Sequence, residues 1–462
     1  MLIKADPWQQ GKSMSIHGHG GIPDLANRRC ELRWGYALLA ALTLIRWAPY
    51  VGGAEAPAST DAPRRILQVG PGRQYRTPAA AAAIARDGDL VEIDAATYLA
   101  DVAVWDQNDL TLKGVGGRPH MNAADLTAQG KGTWVISGRN VRVENIEFSH
   151  SRAPDANGAG IRLDGGSLVV VGCSFHDNQN GILTASAPDI ELTIEHSEFA
   201  NNGAGDGQSH NIYVGRVRSL VMSGSYSHHA LVGHLLKSRA RSNVILDNRL
   251  ADERDGRASL AIDLAEGGNA LIMGNIIQQG PLAENGTLLS YGAEAANRPT
   301  ESQVFVINNT FVNDRDGGLF IRNATPATLQ LYNNIFAGAG EILSGSAATG
   351  ANLVARELSA WDRIQNRVFG SAHMFGGAVG AESNLVVSDA AFVDRARLDY
   401  RLQPSSAAID RGMRLIRSET YALVPQQQYV NQANEEPRRI VGRIDIGAWE
   451  FPAVVSEAGL PH

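Results

Sequence analysis

From about residue 140 the chain repeats one short pattern: an apolar strand, a small or Asn-containing corner, then a large apolar residue. It reads VRVENIEF ending at Phe148, LVVVGCSF at Phe175, LTIEHSEF at Phe199 and LVMSGSY at Tyr226. It continues as NVILDNRL at Leu250, ALIMGNII at Ile277, VFVINNTF at Phe311 and LQLYNNIF at Phe336. The intervals are 27, 24, 27, 24, 27, 34 and 25 residues. Amphipathic helices would show stripes every 3.6 residues, whereas these segments are short, β-branched and bounded by Gly and Asn. A period in the mid-twenties with about three short strands is one turn of a β-solenoid, in which each coil buries its inward residues on the next. Phe148 to Phe336 are therefore predicted to stack in an internal column, and the long interval before Phe311 predicts an outward loop around Pro281 to Thr300. Asn145, Asn248, Asn275, Asn308, Asn309, Asn333 and Asn334 are predicted at corners, bonding one another or turn backbone. The consensus of leucine-rich repeats, which have a similar period, is missing.

Before the repeat, ILQVGPG, the Ala-rich Pro78 to Arg86 and GDLVEID read as strand, short helix and strand, a unit able to close a solenoid's open end. After Gly345 the pattern weakens. Residues 1–56 read as signal peptide and leader, 57–120 as N-terminal cap and first coils, 121–345 as central coils, and 346–462 as terminal coils and closing segment. Within the last part, SSAAIDRG (Ser405 to Gly412) and DIGAWEF (Asp445 to Phe451) resemble the ends of exported β-helix proteins. With the repeat, they make most of the mature chain similar to the pectate-lyase-like superfamily. The fold class this implies is all-β: a single-stranded right-handed parallel β-helix with a small N-terminal α/β cap and an irregular C-terminal segment. The same scaffold hosts lyases, hydrolases, epimerases and adhesins, so the reaction must be argued from a site.

Composition changes this picture at three points. Gly is abundant at 49 residues, as a fold of many tight turns requires. The net charge of −7 argues against a nucleic-acid partner. The two cysteines, Cys30 and Cys173, make no disulfide framework, and Cys173 is expected in the core. Arg28, Arg29 and Arg33, the apolar run Gly35 to Ile45 and Ala54-Glu55-Ala56 follow the order of a signal peptide, and the run is too short for a stable membrane span. The long polar stretch before Arg28 suits a start at Met14. A secreted or periplasmic protein is expected.

Candidate chemistry concentrates in one window. Between Gly207 and Leu246 there is no Asp or Glu, but there are Arg216, Arg218, Arg239, Arg241, Lys237, His210, His228, His229 and His234. Such a strip suits an acidic polymer lying across the coils; a solvated basic face is the bland alternative. Aligning GILT, NIYV, HLLK, LAID, LLSY and LFIR places Thr184, Val214, Lys237, Asp263, Tyr291 and Arg322 on successive strands, roughly 4.8 Å apart. Lys237, Asp263 and Tyr291 are then predicted to share a patch, with Asn211, His210 and Tyr213 beside His234. A one-residue slip would turn any of them to the other face. Each also has an ordinary reading: Lys237–Asp263 as a surface ion pair, Tyr213 and Tyr291 as strand aromatics, His228 as a turn cap. Asp252, Glu253 and Asp255 read as a solvated acidic turn.

The run HLLKSRARSNVILDNRL (His234 to Leu250) resembles β-helix alginate lyases of polysaccharide lyase family six, in which a Lys-Ser pair precedes an Asn-bearing corner. The resemblance implies Lys237 as the base. The family's arginine acid on the next coil is replaced here by Asp263, and His229 and His234 occupy the region of its calcium-holding carboxylates. A uronide lyase must neutralise the sugar carboxylate, remove the C5 proton and protonate the departing O4. We read Arg239 or His234 as neutralising the carboxylate, Lys237 or His234 as the base, Tyr291 or His210 as the acid, and Asp263 as orienting His234 or Lys237. Lysine's ordinary pKa, near about 10.4, must fall for it to serve as a base at neutral pH. Tyr213, His229 and Arg322 complete the substrate contacts. No metal ligand set or cofactor fingerprint is required, although a divalent cation such as calcium is compatible.

Two alternatives stay open. A glycoside hydrolase would pair Asp263 with Glu266, Glu284 or Glu294; Gly233-His234 is similar to polygalacturonases, but no neighbouring Asp pair completes their motif. A non-catalytic polysaccharide-binding protein or adhesin would show feature-poor coils, which the confined His-rich strip opposes.

Overall fold

The computed structural model describes residues 64–295, 302–376 and 378–452; the predicted signal peptide and leader lie outside them. Three parallel sheets run the length of the molecule, of 12, 12 and 10 strands. Each central coil contributes one strand to each. In one coil these are Val141–Glu144 in sheet one, Glu147–Ser149 in sheet two and Ala159–Leu163 in sheet three. Every strand pairs with its counterpart one coil away, so side chains alternate between a dry interior and the outer surface.

The interior holds the predicted stack. Phe148 and Phe175 stack with centroids 5.0 Å apart and planes nearly parallel, and Phe175 and Phe199 stack 4.8 Å apart. Such pairs contribute about 0.5–1.5 kcal/mol each beyond their area burial. The column departs from expectation at one coil. Ser227, not Tyr226, pairs with Phe199 and Leu250, while Tyr226 pairs with Glu198 and Arg249 on the outer face. The corner decides this. Ile146, Cys173, Ser197 and Ser225 occupy equivalent corner positions, and the residue after each must point outward. Ser227 instead donates its hydroxyl to Leu235 O at 2.8 Å inside the helix. The long interval also differs: Thr287–Tyr291 is a sheet-three strand, and the extra residues follow it.

The corner between sheets one and two carries a side-chain ladder. Asn248, Asn275, Asn309 and Asn334 each donate from Nδ2 to the Oδ1 of the next coil's Asn at 3.0 Å, and Asn352 does the same to Asn384 at 2.8 Å. Each Oδ1 also accepts the previous coil's backbone N–H, so buried polar groups are satisfied in a continuous chain. Asn308 and Asn333 sit one residue earlier, in the left-handed region, and reach outward to Asp445 O and Met413 O. Asn145, also left-handed, donates to Gly117 O at 2.8 Å. Cys173 is buried at the same corner, and burial pushes its thiol up to about 12.

At the N-terminal end, Ile66–Val69, the helix Pro78–Ala82 and Leu90–Asp94 form the expected strand, helix and strand. Thr77 Oγ1 accepts Ala80 N at 3.3 Å and starts the helix. After Leu353–Ala355 and the helix Ala360–Phe369, the chain turns back along the outside. Phe392, Tyr400, Tyr429 and Ile446 pack on sheet two's outward Ile276, Val312 and Ile335. Leu423 packs on sheet one's Leu271, Met273 and Ile307. A buried Arg438–Glu450 pair at 3.0 Å ties the end of this segment together. Among the described residues no helix is long and apolar enough to cross a membrane.

Replacing Asn275 by Ala should destabilise the fold by roughly 2 kcal/mol or more, since it strands several buried donors and acceptors at once. Equilibrium urea denaturation measures this; an unchanged midpoint would remove the ladder from the account of stability.

Candidate functional site

The candidate site lies on the outer face of sheet three. Strand pairing gives the outward row Arg162, Leu183, Tyr213, Lys237, Asp263, Ser290 and Arg322. Lys237 and Asp263 are neighbours in it, as expected. Three aligned positions were one residue out: Leu183 rather than Thr184 and Tyr213 rather than Val214 precede Lys237 on the row, and Ser290 rather than Tyr291 follows Asp263. Tyr291 points into the core, fully buried, with its hydroxyl donating to Gly268 O at 2.8 Å, so it cannot reach the groove. The short segment LLSY has apolar residues on both faces, and bulk alone does not set its register. Arg322 is on the row but separated from Asp263 by Ser290.

Lys237 Nζ contacts Glu294 Oε1 at 2.7 Å and Asp263 Oδ2 at 3.4 Å. Arg239 also donates to Glu294, and to the hydroxyl of Tyr213, whose ring lies 5.2 Å below its guanidinium. Glu266 lies 3.5 Å from Arg239 and accepts from Arg216 at 2.8 Å. Arg216, Arg239, Glu266 and Glu294 all follow the sheet-three strand of their coil by a few residues, so one turn stacked over four coils assembles them. That spacing was readable, but Glu294 entered the sequence reading only as a hydrolase alternative. The basic strip is likewise neutralised in space: Arg216, Arg218, Lys237 and Arg239 are all paired with carboxylates from outside the window.

His210 and His234 stack face to face, 4.6 Å apart, beside this row. His234 N donates to His210 Nδ1 at 2.9 Å, and Leu260 N donates to His234 Nδ1 at 3.2 Å. Both rings therefore carry their proton on Nε2, and that of His234 is aimed at Asp263 Oδ2, 3.6 Å away. The close approach needs Gly233, because a Cβ there would lie 1.8 Å from Ser209 O. Burial, then the charge of Lys237, lowers His234 to about 3; burial and His234 hold His210 far below the usual range. Both rings are thus held neutral, with their Nδ1 atoms already occupied by backbone N–H groups. His229 is not part of the group: its contacts are His228 at 2.7 Å and Asp255 at 3.1 Å.

The two carboxyls differ. Burial raises Asp263 despite the opposing charge of Lys237. Glu294 is partly buried, which acts upward, but the hydrogen bond and charge of Lys237, with Arg239, hold it below its ordinary value. His210, Tyr213, Lys237 and Arg239 border a cavity of about 330 Å³ whose rim carries Asp155 and Asp206. A second cavity, about 380 Å³, lies by the C-terminal segment, where Arg356 and Arg395 are paired with Asp362 and Asp314. It has no comparable convergence of proton-transfer groups.

Because both rings are neutral in the fold but take protons near pH 6.5 when unfolded, their contribution is complete above that pH and lost as pH falls towards 3. His234→Gln should flatten the fall in urea midpoint between these limits. A variant curve as steep as the parent's would rule His234 out as a source of acid sensitivity.

Comparison with known proteins bears on the fold. A crystal structure of pectate lyase Pel9A superposes with a TM-score of 0.54 at 15% identity, covering 84% of this chain and 97% of that one. No curated protein is significantly similar in sequence. The family described as right handed beta helix region matches residues 116–208 and 191–356, between them just over half of the chain. With the three parallel sheets, that match makes this chain a member of the right-handed β-helix family.

Proposed function

We propose that this chain is an exported enzyme that cleaves an acidic, uronic-acid-containing polysaccharide in the sheet-three groove, by β-elimination centred on Lys237. The observation that carries this reading is Glu294. Its half-exposed carboxylate is held by Lys237 and Arg239 together, which is where a sugar carboxylate entering the groove would be held. Likeness to a pectate lyase fold supports a polysaccharide as the polymer class.

In this reading the uronate displaces Glu294, and Arg239 neutralises it, making the C5 proton acidic. Lys237, in its neutral amine form once Glu294 is displaced, takes that proton to become the ammonium, while Asp263 orients its Nζ. Tyr213, adjacent on the row, accepts from Arg239 and so keeps its own O–H to give to O4 as the C4–O4 bond breaks and the C4–C5 double bond forms. Tyr213 thus replaces Tyr291 and His210 as the acid.

A second reading is favoured by the opposed shifts of Asp263 and Glu294, the signature of an acid paired with a nucleophile or base. Both touch Lys237 Nζ, at 3.4 and 2.7 Å, so their oxygens are closer than the roughly 6.5–9.5 Å of inverting glycosidases. Hydrolysis here would be of the retaining kind.

Incubation with a panel of acidic polysaccharides should produce ultraviolet-absorbing unsaturated uronide ends. New reducing ends without that absorbance would favour hydrolysis, and neither signal would favour a binding protein. Lys237→Ala should lower kcat by about 100-fold or more; full activity would overturn the assignment. Glu294→Gln separates the two chemistries: an eliminating enzyme should retain turnover, whereas a hydrolase should lose it.

A further inference from the structure

The outer face of sheet two carries a second cluster, in earlier coils than the groove and on a different sheet. His120 and Glu147 are paired positions on adjacent coils, and His176 lies on the next coil at the position paired with Ser149. His176 Nε2 approaches Glu147 Oε1 to 2.9 Å and His120 Nε2 approaches it to 3.6 Å. The three ligand-capable atoms lie within 4.8 Å of one another. A tetrahedral ion with bonds of roughly 2.0–2.2 Å places its ligand atoms roughly 3.3–3.6 Å apart, so these side chains need move little to hold one.

Two features go beyond chance proximity. His176 Nδ1 is 2.8 Å from Asp177 Oδ2, the carboxylate contact that fixes the proton on Nδ1 and leaves Nε2 as the ligand atom. Ser149 Oγ lies 2.7 Å from His120 Nε2 and 2.8 Å from His150 Nδ1, placing a further oxygen and imidazole at the same spot. An exposed His–Glu pair alone contributes little to stability, so this convergence is not explained by ion pairing. The ligand side chains are 23%, 30% and 27% exposed, open enough on one side for water to complete the shell.

We propose that His120, Glu147 and His176 bind one divalent transition-metal ion, zinc by its chemistry. Two imidazoles and one carboxylate suit such an ion better than calcium or magnesium, which prefer all-oxygen shells. Asp177 is a positioning residue that acts through His176.

The test uses the full mature chain, stripped with chelator and titrated with Zn²⁺ in a calorimeter, with Co²⁺ as a spectroscopic probe. We expect one ion per chain, a tetrahedral Co²⁺ spectrum, loss of both in His176→Ala and Glu147→Gln, and affinity about 10- to 100-fold weaker in Asp177→Asn. His120→Gln should also lose the site, and it serves if circular dichroism shows that His176→Ala does not fold. Absence of stoichiometric uptake would overturn the proposal. So would uptake unchanged in His120→Gln and Glu147→Gln, or uptake that instead requires His228 and His229, the next histidine pair along this sheet.

Discussion

Everything in this molecule depends on the backbone pairing of each coil with the next. A parallel strand leaves half its side chains inside and half outside, and pairing repeats that division at the same place on every coil. The corner ladder from Asn248 to Asn384 reinforces it, since each side chain satisfies both the amide and the backbone N–H of the previous coil. A slip of one residue would leave those groups buried without partners. The pairing thus converts a one-dimensional spacing into fixed outward rows, and both clusters of chemistry described above are built on neighbouring outward positions of such rows.

That conversion explains what was legible in the sequence. The repeat, the Phe column and the Asn corners could be read because all of them report the interior, where burial punishes deviation. Outward positions were harder. Tyr226 is large and aromatic, so it was taken for a column residue, although the corner Ser225 places it outside. Tyr291 failed in the opposite sense, an aromatic taken for outward that fills the core. Lys237 and Asp263 were placed correctly because a charged residue in a short strand has only one tolerable face.

The electrostatics were less legible still, because pairing crosses coils. Forty residues without an acid look strongly basic along the chain, yet Glu191, Glu266 and Glu294, from neighbouring coils, meet Arg218, Arg216, Arg239 and Lys237. Charge in a solenoid has to be summed down a row rather than along the sequence. The balanced site has a physical consequence for the proposed reading: a uronate would gain little from net attraction and would instead have to exchange with Glu294 at Arg239 and Lys237. That favours recognition by matched geometry over long-range steering.

The C-terminal segment bears on which face of the helix stays open. It lays Phe392, Tyr400, Tyr429 and Ile446 over the outward residues of sheet two, and Leu423 over those of sheet one. The apolar outward residues there, such as Ile276, Val312 and Leu271, require such a cover. The middle of the sheet-three row is polar instead, running Tyr213, Lys237, Asp263, Ser290. Its side chains are buried by one another and by the turns that carry Arg239 and Glu294, with a cavity beside them. A cover there would have to bury charged groups already committed to one another, so the same distribution of apolar residues that seats the closing segment keeps it off the groove.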